Sequence, residues 1–207
     1  YGETWTGITD GIAPNHFARA IREDIKRPKL LYLGTEHGVY VSFDDGAHWQ
    51  SLQQNLPDTP VHDLAVEQRD LVIATHGRGF YVMDNIAALR QGGIPTTSTF
   101  RLYKPEDALR GLDRSVAVDY YLKQPAQKVT MEFLDAQGKP IRTFTGTPAD
   151  AERRAPPPSD DDGGFRRPQD PHPPVAAGLH RVTWDLRYPG ATDFPGMVMW
   201  AARTLGP

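Results

Sequence analysis

Short apolar runs separated by turn residues set the rhythm of residues 17–85, which is the spacing of strands joined by tight connections rather than of helices. Phe17 to Glu23 predicts a first strand, Leu30 to Thr35 a second, Gly38 to Phe43 a third and His48 to Leu52 a fourth. Asn55 to Pro60, rich in Pro, Asp and Asn, reads as a link to a second group, with strands predicted at Val61 to Glu67, Leu71 to Thr75 and Gly79 to Met83. The two groups repeat one another. LYLGTEHGVYVSFDD, from Leu31 to Asp45, is echoed by LVIATHGRGFYVMDN, from Leu71 to Asn85, with one residue inserted around His76 to Gly79. Asp84 to Leu89 predicts one helical turn, and Gln91 to Ser98, with two glycines and a proline, reads as a linker, so a domain boundary falls near residue 92.

The second half keeps the strand rhythm with longer gaps. Strands are predicted at Phe100 to Tyr103, Val116 to Leu122 and Val129 to Leu134, and the turn AQGK, Ala136 to Lys139, returns the chain into Ile141 to Thr145. Leu179 to Leu186 is a further strand with Val182 and Trp184 on one face; Trp184 and Trp200 are expected in the core of the sandwich or covering its exposed edge. Strands without intervening helices predict an antiparallel sandwich of the Ig or fibronectin type, which needs about seven strands. Five or six are visible before Pro207, so the sandwich is expected to be incomplete. Pro148 to Ala176 is proline-rich, with charges in blocks, and is expected to be a disordered insertion, because it offers almost nothing to bury. The triple Asp160, Asp161, Asp162 lacks the spaced oxygen ligands of a calcium loop.

One motif stands out in the first half. Ser42, Asp44, Gly46 and Trp49 form S-x-D-x-G-x-x-W, and a clipped copy lies 44 positions earlier, with Gly2 and Trp5 in register. Asp44 offers a short acceptor to the backbone N–H groups of its own turn, Gly46 can take positive φ, and Trp49 buries an indole, a contribution of roughly 2 to 3 kcal/mol. The motif is therefore a structural staple. A period of roughly 40 to 50 residues is that of one four-stranded blade of a β-propeller. About two blades are present, the second without its own fourth strand. The counterpart of Asp44 in the first copy falls before Tyr1, so the natural protein is expected to extend further at its N-terminus.

Composition adds limits. Gly and Pro number 19 each, matching many turns, and a net charge of −3 favours neither nucleic acid nor an anionic membrane. There is no cysteine and hence no disulfide or thiolate metal site. No run is long and apolar enough to span a membrane as a helix.

The runs SFDDGAHW, LYLGTEHGVYVS, THGRGFYVMD and AGLHRVTWDLRYPG resemble the C-terminal part of large bacterial proteins of the sortilin-type, BNR-repeat (Asp-box) propeller family, described as glycosyl-hydrolase-like. The resemblance implies a larger propeller followed by an Ig-like domain, in an exported protein found in the periplasm or outside the cell. The organisation expected is propeller blades over 1–91, a linker at 92–98 and an Ig-like sandwich over 99–207, with the insertion at 148–176.

Polar residues recur at the strand ends. Glu36 and His37 follow Thr35, and His76, Gly77 and Arg78 follow Thr75, so one rim of the blades carries acid, imidazole and guanidinium as a candidate ligand site. The same groups would equally well serve hydrogen bonding between blades. Arg19, Arg22 and Arg78 do not form a sialidase-type arginine triad, no Tyr/Glu nucleophile pair is evident, and His62 with Asp63 lacks the further ligands of a metal site. Two readings follow. The first is a binding or scaffolding propeller, presenting its rim to a glycan, a peptide or a partner protein, with the remaining blades of the same protein as its structural partners. The second is a sialidase-like or xyloglucanase-like glycoside hydrolase whose carboxylates lie mainly on absent blades, with Glu36 or Asp24 supplying one at most. No catalytic residue, cofactor or metal is assigned.

Overall fold

A computed structural model describes residues 2–95, 97–108, 115–152 and 170–189. Among these the chain is mostly β, with small antiparallel sheets, two short helices and no closed barrel. It divides into two compact units, Tyr1–Gly93 and Ile94–Pro207.

In the first unit, β1 (Ala18–Glu23), β2 (Leu31–Thr35), β3 (Gly38–Ser42) and β4 (Gln50–Ser51) form one sheet in chain order. A second sheet, also in chain order, is built from β5 (Val61–Val66), β6 (Leu71–Thr75) and β7 (Phe80–Met83). The short helix α1 (Ala87–Arg90) closes the unit. Strand β4 is shorter than the run His48 to Leu52. His48 is drawn back to Asp44, and the Trp49 N–H goes to the carbonyl of Asp10 in the preceding link, leaving only two residues to pair with β3.

The sequence echo is a structural repeat. Both sheets carry a register shift at the same place in their first strand, between Ala18 and Ala20 and between Val61 and Asp63. Thr35 Oγ1 donates to the Gly38 carbonyl as Thr75 Oγ1 does to that of Gly79. The Glu36 N–H reaches the Phe17 carbonyl at 3.0 Å, and the His76 N–H reaches that of Pro60 at 2.9 Å. Matching side chains and matching backbone bonds therefore recur together in the two sheets.

The sheets stack face to face. Tyr32, Val39 and Val41 of the first meet Val61, Leu64, Leu71 and Ile73 of the second, with Leu52 and Leu56 of the link in the same buried cluster. A side-chain carbon on Gly34 would lie 2.7 Å from Val61 Cγ1, so glycine is what permits the sheets to approach this closely. The opposite face of the first sheet holds a smaller cluster of Leu33, Tyr40 and Trp49, covered by Ile12 of the segment before β1. Strands β2 and β3 are thus buried on both faces, which explains their nearly unbroken apolar runs. Strand β6 has a layer on one side only, and its burial alternates.

The second unit contains β8 (Phe100–Leu102), β9 (Val116–Leu122), β10 (Val129–Leu134), β11 (Pro140–Gly146), the helix α2 (Pro148–Glu152) and β12 (Gly178–Trp184). One sheet runs β12-β9-β8 and a two-stranded sheet pairs β10 with β11. Tyr120, Leu122, Val182 and Trp184 of the first share a core with Phe144 and the half-buried Val129, Met131, Phe133 and Ile141 of the second. The Phe133 and Trp184 rings lie 4.4 Å apart, centre to centre. Trp200 lies outside the described residues. Of the segment Pro148 to Ala176, Pro148–Glu152 is helical, and the stretch before β12 is held by the Ala126 N–H on the Val175 carbonyl and by Tyr120 Oη on that of Pro174. The apolar Val175 and Pro173 give this end something to bury. Residues 153–169, with the aspartate triple, lie outside the described residues.

Candidate functional site

The S-x-D-x-G-x-x-W turn is a closed hydrogen-bond unit. Ser42 Oγ donates to Asp44 Oδ1 at 2.8 Å and accepts from the Gly46 N–H at 2.9 Å, while Asp44 Oδ1 also accepts from the His48 N–H at 2.9 Å. Gly46 sits at φ +86°, in the left-handed region. Trp49 is buried and donates its indole N–H to the Ile8 carbonyl at 2.8 Å, which ties the turn to the segment before β1. The His48 imidazole pairs with Asp44 through Nδ1, with Asp10 facing Nε2 at 3.7 Å. These hydrogen bonds hold the Asp44 carboxyl down to about 2, the side-chain bond from His48 being the largest cause, and the same carboxylate raises the His48 imidazole. Gly2 has positive φ like Gly46, but Trp5 is 89% exposed where Trp49 is buried.

The rim residues gather at one end of the stacked sheets. Glu36 pairs with Arg19 of β1. His37 Nδ1 lies 2.9 Å from Asp58 Oδ1, and its ring lies 4.7 Å from that of His16, whose Nδ1 meets Tyr40 Oη at 2.9 Å. In the second sheet the His76 ring stacks on His62 at 5.1 Å, and the His76 carbonyl accepts from Thr59 Oγ1. The link residues Asp58, Thr59 and Pro60 therefore bridge the two turns: Asp58 takes His37, and Thr59 and Pro60 hold the backbone of His76. Arg78 stands exposed at the tip of the second turn, flanked by Gly77 and Gly79. The sequence reading missed His16, Asp58 and Thr59. Their partners lie 17 to 24 residues away, so no local pattern marked them.

Two further carboxylates of the first unit are engaged by arginines. Asp63 pairs with Arg22. Asp24 is buried: it accepts the Arg90 Nε–H on both oxygens at 3.0 Å, the Lys26 and Arg27 N–H groups on Oδ1, and the Tyr32 hydroxyl on Oδ2. Burial, and then the Asp24 charge, raise the Tyr32 phenol well above its ordinary value, so it stays a donor. Arg27 in turn caps the helix, donating to the carbonyls of Leu89 and Arg90. Asp24 is thus a clasp between β1 and α1. In the second unit Arg181 makes two bonds to the buried Asp119 directly opposite it, at 2.7 and 3.0 Å.

Among the described residues no three or more His, Asp or Glu side chains are arranged to hold a metal ion, and no helix is long and apolar enough to cross a membrane. No protein-family model, no curated protein and no solved structure matches the chain.

Proposed function

We propose that this chain is a structural and ligand-presenting portion of a β-propeller protein of the sortilin-type Asp-box class, followed by an Ig-like sandwich and exported to the periplasm or beyond the cell. The first unit contributes two stacked blades, and the turns after β2 and β6 form a binding rim for a glycan, a peptide or a partner protein.

The observation that carries this reading is the link Asp58–Pro60, which draws His37 and His76 to one end of two repeated sheets and leaves Arg78 exposed beside them. Concave or end-on surfaces built from repeat turns are common recognition sites, because the sheets fix the geometry and the turns are free to vary. The carboxylates named at this end each have a side-chain partner, Glu36 and Asp63 the arginines Arg19 and Arg22 and Asp58 the His37 imidazole, which suits positioning more than proton transfer.

Binding of the chain to glycan and peptide arrays tests the proposal. Arg78→Ala and His76→Ala are expected to weaken any ligand found by about 10-fold each, the worth of roughly one charged hydrogen bond. Absence of binding across both arrays would contradict it, as would turnover of aryl glycosides abolished by Glu36→Gln.

A further inference from the structure

The bulges of the two repeated sheets carry equivalent pairs of side chains that differ in kind. The register shifts of β1 and β5 leave Arg19 and His62 as the extra residues of their strands. The backbone bonds of Glu36 to Phe17 and of His76 to Pro60 make Glu36 and His76 equivalent in the same way. A bulge re-aims its extra side chain, and in both sheets that side chain meets the residue after the next strand. In the first sheet the result is an ion pair, Arg19 with Glu36. In the second the same two positions hold two imidazoles, His62 and His76, with ring centres 5.1 Å and planes 23° apart.

The imidazole pair is available where its neighbours are engaged. Both rings are exposed, and among the described residues nothing hydrogen-bonds their ring nitrogens. The nearby His16 and His37 each have a ring nitrogen committed, to Tyr40 and to Asp58, and Asp63 is paired with Arg22. His76 is placed through its backbone, by Pro60 and Thr59, so its ring can take a ligand without loosening the turn. The position also stays open under stacking. With the second sheet packed against the first, the Arg19 and Glu36 side chains remain 38% and 30% exposed, so a further sheet stacked on the second in the same manner leaves His62 and His76 accessible.

We propose that His62 and His76 together bind a late first-row divalent cation of the zinc and copper class, through one nitrogen of each ring. Imidazole suits such ions, whereas Mg²⁺ and Ca²⁺ take oxygen. Two imidazoles on one tetrahedral ion, each nitrogen about 2.0–2.1 Å from the metal, have ring centres about 5 Å apart, the separation already present. The near-parallel planes must turn about χ2 to aim both lone pairs at one ion, a soft rotation for exposed rings. The ion supplies the attraction that opposite charge supplies between Arg19 and Glu36, and water or an oxygen of a rim ligand completes its coordination. Sequence alone gave His62 no second ligand, because His76 reaches it only through the pairing of β5 with β6. His76 also belongs to the proposed rim, but the metal site rests on the equivalence of the two pairs and stands if the rim binds neither glycan nor peptide.

Titration of the full chain with Zn²⁺, in the absence of any glycan or peptide, provides the test, read by calorimetry and by the histidine ring signals in ¹H–¹³C NMR spectra. One equivalent is expected to bind with micromolar affinity and to shift the His62 and His76 signals before those of the other histidines, without competition from Mg²⁺ or Ca²⁺. His62→Ala and His76→Ala are each expected to weaken binding about 10-fold or more, since a single imidazole loses the chelate. His37→Ala and Arg78→Ala are expected not to weaken it, and the latter separates this site from the rim ligand. His62→Arg/His76→Glu, which installs the ion pair of the first sheet, is expected to keep the wild-type circular dichroism and to abolish binding. Absence of heat and of shifts at hundred-micromolar Zn²⁺, equal affinity in wild type and both alanine variants, or a loss in His37→Ala as large as in His62→Ala would each overturn the proposal.

Discussion

Asp44 organises its turn and carries a charge, and its neighbour His48 makes that charge visible to pH. The Asp44 carboxyl is lowered from 3.8 to about 2, so whatever the pair contributes is present above pH 4 and lost as pH falls through about 2. The His48 imidazole is raised from 6.5, so its contribution is complete below pH 6.5 and lost as pH rises through the folded value. Both groups are solvent-exposed, so the effect on stability is small, and the direct readout is the titration itself. The His48 ring protons are expected to titrate above pH 6.5 by NMR and to move back toward that value in Asp44→Asn; a His48 midpoint indifferent to Asp44→Asn would show that the pair does not form in solution. Asp24 makes the contrasting case. Its sequence neighbourhood left it open as a glycosidase acid, yet the Lys26 and Arg27 N–H groups, the Tyr32 hydroxyl and Arg90 enclose it. Nothing local signalled this, because Arg90 is 66 residues away.

At the scale of elements, the clasp from β1 to α1 has a measurable strength. The Asp24 side chain is fully buried and that of Arg90 is 8% exposed, and breaking a buried pair by removing one partner costs about 3 to 5 kcal/mol. Asp24→Ala is expected to lower the stability of the first unit by that amount in urea unfolding, while Asp24→Leu/Arg90→Met, which removes both charges, recovers part of the loss. Equal losses in the two variants would mean that α1 is held by its apolar contacts alone. The strands themselves were legible in the sequence: β6, β9 and β10 begin and end where their apolar runs do, because turn residues bracket them and alternation fixes their faces. The helical turn at α1 was legible too. What local patterns did not reveal was the use made of the links. Asp58 to Pro60 read as a connection, but its side chains and carbonyls secure both rim turns, through contacts that exist only once the two sheets have stacked. The ordered end of the proline-rich segment escaped for the same reason. Val175 is held by Ala126 and Pro174 by Tyr120, neither of which is near its partner in sequence.

For the whole molecule the account turns on one arrangement in the first unit: two copies of one sheet, stacked so that equivalent faces stand on opposite sides of the pair. The rim follows from it, because stacking aligns the turns after β2 and β6. Gly34 marks the closest approach, where any side-chain carbon would meet Val61 at 2.7 Å. The most direct measurement is therefore the nuclear Overhauser spectrum of the isotope-labelled chain, read between the Gly34 α-protons and the Val61 methyl groups, and between the Tyr32 ring and the methyl groups that share its buried cluster. Strong cross-peaks from Gly34 to Val61, with strand-type chemical shifts over β2, β3, β5 and β6, are what stacked repeats require. Absence of the Gly34 to Val61 contact in a folded chain, or helical shifts across residues 30–85, would contradict the account at its centre.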